Sequence, residues 1–403
     1  MSNSGEWVVG LDLGGTKLAA AIFRKEPGGR IEFGHALPNR KYDAIFGGAT
    51  DLKAPEKAER IENAMAESVK ELSAKVAGTV TAVGICSAGF VENGTIIEAY
   101  NIGMKNTPLR DDIGSKTGVK AFLYKDSWAP AYALQPERPA MVFSIGTGFG
   151  GVSCEPDLTI PLRSYTQARK PIWIPFLYAN DDPGYAVAFS DELCEEMFAR
   201  SAARAKAGPL KETPGAADAV RAREWAAKLK EKARNDKRLS PSPLILSLAK
   251  LFAKPAVRDW RPNEVYADVP GAASFPPFVF SLLTGRPIEP AELDTLIAAE
   301  DPNATMAYYA QAEFIAYILF KMQNERVKNG LEPAERVFAT GSGYNPATHK
   351  ILARPIAISM NEFCKSANIP GLKSEAVEYF AVPGGAPTTL ACMGAATGAA
   401  REL

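Results

Sequence analysis

The sequence is poor in the residues that build disulfide frameworks and metal sites. Its five cysteines, Cys86, Cys154, Cys194, Cys364 and Cys392, are odd in number and scattered, with no C-x-x-C pair. That pattern excludes a stapled secreted domain or a zinc knuckle and points to a reducing cytoplasm. Only two histidines occur, His35 and His349. No stretch approaches the roughly 18 uninterrupted apolar residues of a membrane span, and "MSNSGEWVV" lacks the basic and apolar regions of a secretory leader. Net charge is missing as well: 46 basic residues balance 46 acidic ones, so nothing pulls the chain toward nucleic acid or an anionic membrane. These absences predict a soluble, cytoplasmic protein with no nucleic-acid or membrane partner.

What is present is ample apolar material. At 403 residues and 46% hydrophobic, the chain is long enough for two cores. Strands are expected over 7–12, 18–23 and 31–37, a meander broken by the "EPGGR" turn. After Pro55, Ile61, Met65, Val69, Leu72 and Val76 recur at helical spacing until Gly78, and "TVTAVGIC" reads as a buried strand. A short helix "TPLRDDIGSKTG", the strand "VKAFLY" and the helix "SWAPAYAL" follow. The proline-rich 135–139 is expected to link an N-terminal α/β domain, 1–135, to a C-terminal one, 136–403. There "AMVFSIGTGFGGVS" repeats the opening pattern of an apolar strand running into a glycine turn. Residues from about 155 to 302 carry no recognisable chemical motif and read as a mostly helical insertion. A long helix over 305–328, the strand "RVFAT", the turn "GSGYN", a helix through Leu352 and the Gly/Ala-rich end "LACMGAATGAA" complete the chain.

Three glycine turns stand at strand ends. In "VVGLDLGGTKLAA", Asp12 precedes Gly14, Gly15, Thr16 and Lys17. Read as structure, this is a hairpin turn with a carboxylate satisfying its amides. Read as chemistry, the glycines let backbone N–H groups approach a phosphate, Thr16 adds a hydroxyl, and Asp12 holds Mg²⁺ through water. A Walker A loop is excluded, because a β-like segment follows rather than a helix. The second turn, Gly146, Thr147, Gly148 and Gly150, formally matches G-x-G-x-x-G. It opens no helical period and has no acid about 20 residues on, so a phosphate-cradling hairpin fits better than a dinucleotide fingerprint. The third, Gly341, Ser342, Gly343 and Asn345, is either a tight turn or the floor of a nucleoside pocket at a helix N-terminus. Asp126, between a strand and a helix, is either an N-cap or a general base facing a substrate hydroxyl. Asn101 offers an amide to sugar hydroxyls, or starts a turn.

Taken in order, "VGLDLGGTKLAAAIF", "GICSAGFVENGTI", "YNIGMKNTPL", "YKDSWAPAYAL", "VFSIGTGFGGV" and "VFATGSGYN" resemble the phosphate, sugar, catalytic, second phosphate and adenosine segments of the ROK-type sugar kinases. These belong to the wider sugar kinase, actin and Hsp70 superfamily. The resemblance implies two ribonuclease-H-like α/β domains with a cleft between them, the helical insertion lying in the second. It implies ATP and Mg²⁺ as cofactors, a sugar as substrate, Asp126 as base, and Ser87, Ala88, Gly89 and Asn101 on the sugar side; it leaves a homodimer open. The chain departs from the family in lacking its Glu-x-Gly-His and cysteine-rich zinc motifs, and Cys86-Ser87-Ala88-Gly89 replaces its G-x-P-G turn. Two alternatives follow. One is a non-catalytic sugar and nucleotide sensor, although the six residues before the first strand offer no helix-turn-helix. The other is a kinase for a non-sugar substrate such as a carboxylic acid, which the basic Lys125 beside Asp126 would suit.

Overall fold

The first strand sets the plan. In a computed structural model, β1 (Gly5–Leu13) pairs antiparallel with β2 (Lys17–Lys25) and parallel with β5 (Gly78–Ser87). The structure describes residues 5–27, 30–49, 51–99, 102–146, 149–157, 188–189, 191–207, 265–266, 271, 273–341, 343–380 and 389–403. β3 (Ile31–Ala36) flanks β2 antiparallel, β4 (Arg40–Lys41) also pairs β2, and β9 (Lys120–Lys125) lies parallel beside β5. The resulting order, β3-β2-β1-β5-β9, is a meander followed by parallel strands joined through helices, the ribonuclease-H-like arrangement.

Alternation along each strand divides its side chains between two cores. Val9, Leu11 and Leu13, with Val83 and Ile85, face α2 (Ala54–Ser73), whose Ile61, Met65, Val69 and Leu72 are the apolar stripe expected from their spacing. Val76 lies beyond the end of that helix. Val8, Ala82, Phe122 and Tyr124 face the opposite way, onto the C-terminal helix Thr389–Arg401. This helix was expected within the second domain. The chain instead divides into one unit of Met1–Glu137, Pro156–Arg163 and Phe380–Leu403, and another of Arg138–Glu155 and Ser164–Tyr379. The reason lies in its small residues. Gly10 and Gly84 are partners across β1 and β5, and a Cβ on either would stand 1.9 Å from a helix carbonyl oxygen, that of Cys392 or Ala395. Only glycine lets the helix backbone rest on the strands.

Three short strands, β6 (Phe90–Glu92), β7 (Thr95–Ala99) and β8 (Met104–Thr107), form a separate antiparallel meander. Its first turn is Asn93-Gly94, both at positive φ, the conformation that two-residue hairpin loops demand. α1 (Tyr42–Ile45), α3 (Leu109–Thr117) and α4 (Ala129–Leu134) complete the unit.

In the second unit, β10 (Ala140–Ile145) pairs antiparallel with β11 (Phe149–Cys154) and parallel with β14 (Arg336–Thr340), which pairs parallel with β15 (Glu378–Tyr379). The order β11-β10-β14-β15 repeats β2-β1-β5-β9, so the similarity of the two glycine turns reflects a duplicated topology. Among the described residues of the expected helical insertion are α5 (Asp191–Ala207), α6 (Phe275–Thr284) and α7 (Pro290–Ala298). The two-residue strands β12 (Ala188–Phe189) and β13 (Val265–Tyr266) also pair there. α8 (Pro302–Lys328) runs through the core, buried on most sides. Its fully buried Glu313 is satisfied by Arg200 and Arg204 from α5 and by the hydroxyl of Ser359, 2.7 Å away. α9 (Pro346–Ser366) continues past Leu352, with Pro355 inside it; α10 is the Thr389–Arg401 helix of the first unit.

Candidate active site

The first unit gathers its chemistry at the carboxyl ends of β1, β5 and β9. Register places Asp12 beside Cys86, Leu13 beside Ser87, and Ser87 beside Lys125. The ladder continues past the strands: Ala88 N–H donates to the Leu13 carbonyl and Asp126 N–H to that of Ser87, both at 3.0 Å. Crevices beyond the carboxyl ends of parallel strands are where open α/β sheets bind ligands. Asp12 follows Val8 and Gly10 in the alternation, and Cys86 follows Ala82 and Gly84, so both occupy the α10 face.

Asp12 also feels the charge of Asp126. Burial raises the affinity of Asp12 for its proton, the charge of Asp126 raises it further, and Cys86 and Lys17 oppose the shift; the outcome is a carboxyl pushed up to about 7. Cys86 Sγ lies 3.5 Å from Asp12 Oδ1. Tyr42 is held neutral by burial and by both acid charges, and its hydroxyl donates to the Gly14 carbonyl and, at 3.3 Å, to that of Lys17. The turn closes with Gly14 N–H on the Lys17 carbonyl at 3.1 Å. Thr16 at its tip is exposed.

Asp126 is not a helix cap. The N-cap of α4 is Trp128, without a side-chain bond, whereas Asp126 Oδ1 accepts the N–H of Ser127 at 2.8 Å and its side chain keeps 37% exposure. Beside it, the buried Ser127 hydroxyl has no partner among the described residues. An unsatisfied buried hydroxyl costs about 1–3 kcal/mol, so stability alone does not account for this segment.

The glycines sort themselves by what a side chain would meet. Gly89 has φ +97 and lies against Glu98 and Ala99; Gly341 has φ +104 and lies against Ile145 backbone; Gly343 is packed against Ala273 and Ile145. Those three serve the fold. Gly14 and Gly146 do not: neither has positive φ, a Cβ on Gly14 would make only ordinary contacts, the nearest at 3.5 Å, and one on Gly146 would meet nothing within 4 Å among the described residues. At Gly14 that Cβ would sit 4.0 Å from both Asp12 carboxylate oxygens. A glycine required by neither conformation nor packing leaves room for something outside the chain, which is what a phosphate cradle needs. Gly14→Ala is accordingly expected to leave the melting temperature unchanged and to weaken ATP binding roughly tenfold to hundredfold, on the scale of 1.4 kcal/mol per decade. Calorimetric titration checks it.

In the second unit the two expected turns are neighbours: Ser144 lies beside Thr340, the Gly343 N–H donates to the Ile145 carbonyl at 2.9 Å, and Gly150 pairs with Ser144 inside the hairpin. Asn345 is the N-cap of α9, its side-chain oxygen accepting from Ala347 and Thr348 N–H. Its side-chain oxygen thus starts the helix whose N-terminus the sequence offers to a nucleoside. Ser87, expected on the sugar side, is buried, with its hydroxyl on the Ala88 carbonyl at 3.0 Å. Thr147, Gly148, Ser342 and Asn101 lie outside the described residues. Sequence reasoning missed Tyr42, 28 residues from the turn it supports and signalled by no local motif. It also missed Cys86 as a neighbour of Asp12.

The donor set around Asp12 suits Mg²⁺ held through water and substrate phosphate oxygens, which requires only one or two protein carboxylates. No group of three or more His, Cys, Asp or Glu side chains that could cage a metal occurs among the described residues. No helix among them is long and apolar enough to cross a membrane.

Two units repeating this strand order have the two-domain, actin-like ATPase fold. A model of the ROK family matches residues 8–154. The glucokinase of Streptomyces coelicolor is 29% identical over 151 residues, 36% of this chain and 42% of that protein. The N-acetylmannosamine kinase of Salmonella newport is 28% identical over 154 residues, 36% of this chain and 46% of that protein. These matches span less than half the length of either curated relative. The crystal structure of a ROK hexokinase from Thermus thermophilus covers 98% of this chain and 99% of its own at 17% identity, with a TM-score of 0.55. Within the fold class, then, the chain resembles the ROK-type sugar kinases, in sequence over residues 8–154 and in fold over almost its whole length.

Proposed function

We propose that the protein transfers the γ-phosphoryl group of ATP to a sugar hydroxyl. The observation that carries this reading is a pair of carboxylates, Asp12 and Asp126, at the carboxyl ends of β1 and β9 with β5 between them, the charge of Asp126 raising Asp12, beside a turn whose Gly14 is required by neither conformation nor packing. Phosphoryl transfer asks a protein mainly for alignment and charge neutralisation. Mg²⁺, when bound, neutralises charge on the phosphates; Asp12 would hold its water shell, and the Gly15 and Thr16 amides at the tip of the turn would take phosphate oxygens. Within the second unit, the glycine turns at 146–150 and 341–345 are read as nucleotide-binding turns in their own right, the latter at the N-terminus of α9.

Asp126 is the base in this scheme. Its partly exposed carboxylate accepts the proton of the acceptor hydroxyl as that oxygen attacks, and the Ser87–Gly89 turn lies on the acceptor side. Lys125 does not favour an acidic substrate, because its ammonium is buried and bonded to a backbone carbonyl instead of being presented to a ligand. The glucokinase and N-acetylmannosamine kinase names of the relatives support a hexose or amino-hexose acceptor. The assay is coupled ADP release with MgATP over a panel of hexoses and N-acetylhexosamines. ADP formation that depends on one or a few sugars is expected; sugar binding without sugar-dependent ADP would mark a sensor.

A further inference from the structure

Lys125 is only 3% exposed. Its Nζ donates to the Gly89 carbonyl at 2.9 Å and stands 3.9 Å from Asp126 Oδ1. Removing an ammonium from water costs several kcal/mol even when it is paired, and an apolar side chain of similar length would fill the volume without that cost. Stability is therefore a poor reason for a lysine here.

The groups it touches suggest a better one. Gly89 ends the Ser87–Ala88–Gly89 turn, which is pinned from one side by Ala88 N–H on the Leu13 carbonyl and from the other by Asp126 N–H on the Ser87 carbonyl. Beyond Gly89 the backbone is fixed at φ +97 against Glu98 and Ala99 of β7. The last carbonyl of the turn is the one Lys125 holds. One side chain thus joins the acceptor-side turn, the β6–β8 meander behind it and the carboxylate at the end of β9. Resting on the kinase reading, we propose that Lys125 is a positioning residue: its ammonium locks the Ser87–Gly89 turn to Asp126, so that an acceptor seated on the turn has its hydroxyl at a fixed distance from the base.

Misplacement by about 1 Å can cost on the order of 100-fold in rate, so the effect belongs in acceptor turnover and not in nucleotide binding. The test compares Lys125→Met, which keeps the volume and loses both donor and charge, with Lys125→Gln, which keeps a donor. D-glucose and N-acetyl-D-mannosamine serve as acceptor probes at saturating MgATP, alongside calorimetric ATP affinity and thermal unfolding. Lys125→Met is expected to lower kcat/KM for the better acceptor about 100-fold, mainly through kcat, with ATP affinity and melting temperature unchanged, and Lys125→Gln to recover much of the loss. Wild-type kcat/KM in Lys125→Met, or a loss in which ATP affinity and melting temperature fall together with turnover, overturns the proposal. Should the Met variant fail to fold, Lys125→Leu, which also removes the donor and the charge, takes its place: reduced kcat with unchanged melting temperature supports the proposal, and wild-type kcat refutes it. A wild-type protein that binds a probe without ADP release fails the kinase reading; the variants' acceptor affinity then decides the positioning role, a loss with unchanged melting temperature supporting it and wild-type affinity refuting it.

Discussion

Asp126→Asn is expected to fold, to bind ATP with wild-type affinity, and to lose turnover by a factor of 10²–10⁴, about 3–5 kcal/mol of barrier. The substitution is nearly isosteric, and the amide oxygen can still accept the Ser127 N–H that Asp126 Oδ1 now holds at 2.8 Å. What disappears is the capacity to take a proton, together with the negative charge that helps to raise Asp12. Asp12 should then ionise at lower pH in the variant, which leaves the phosphate side of the site intact or improved. Loss confined to kcat is therefore the signature sought, read by steady-state kinetics beside an ATP titration. A variant that keeps near-wild-type turnover would remove Asp126 from the chemistry.

The second large effect concerns the fold. Gly84→Ala adds one methyl group where no space exists, since its carbon would lie 1.9 Å from the Ala395 carbonyl oxygen and 2.3 Å from the Ala395 carbonyl carbon. The obstacle is the backbone of α10, which cannot rotate away as a side chain could, so helix and sheet must separate. A cost of about 3 kcal/mol is expected, at the upper end of typical overpacking penalties. For a unit of this size it would lower the melting temperature by roughly 6–12 °C, at about 2–4 °C per kcal/mol. Gly114→Ala is the control. It lies inside α3, with only the Val119 carbonyl oxygen near, at 3.7 Å, and should stabilise by about 0.5–1 kcal/mol through helix propensity. Equal melting temperatures for wild type and Gly84→Ala would contradict the packing account. Cys86, beside Asp12, also lies 3.6 Å from the Ala391 carbonyl oxygen, so the same variant is expected to disturb the surroundings of Asp12.

Local pattern made much of this legible. The spacing of Ile61, Met65, Val69 and Leu72 gave one face of a helix, and the repeated strand-plus-glycine-turn foreshadowed the duplicated sheet order. Long-range packing was not legible. The Gly/Ala-rich end announces close packing but not its partner, and only paired Gly10 and Gly84, 74 residues apart, show that the partner is the first sheet. The two-residue hairpin at Asn93-Gly94 has a local signal in "ENGT", but that signal does not say which strand the meander packs against. At the site, Asp12 and Asp126 could be singled out because a carboxylate at the end of an apolar strand conflicts with burial. The N-cap role of Asn345 is not separable in the sequence from a polar ligand contact, because both use the same residue types. Lys125 could be noticed but not interpreted; its burial and its bond to Gly89 depend on how β5 and β9 align.

The central claim is phosphoryl transfer from ATP to a sugar oxygen, and the fate of the phosphorus tests it most directly. Wild-type protein, MgATP and the acceptor that gives the fastest ADP release are followed by phosphorus NMR. The account predicts a sugar phosphate ester appearing in step with ADP, one for one, and no ester with Asp126→Asn on the same timescale. ADP accompanied by inorganic phosphate instead of an ester, or an ester formed equally well by the Asp126→Asn protein, would contradict it.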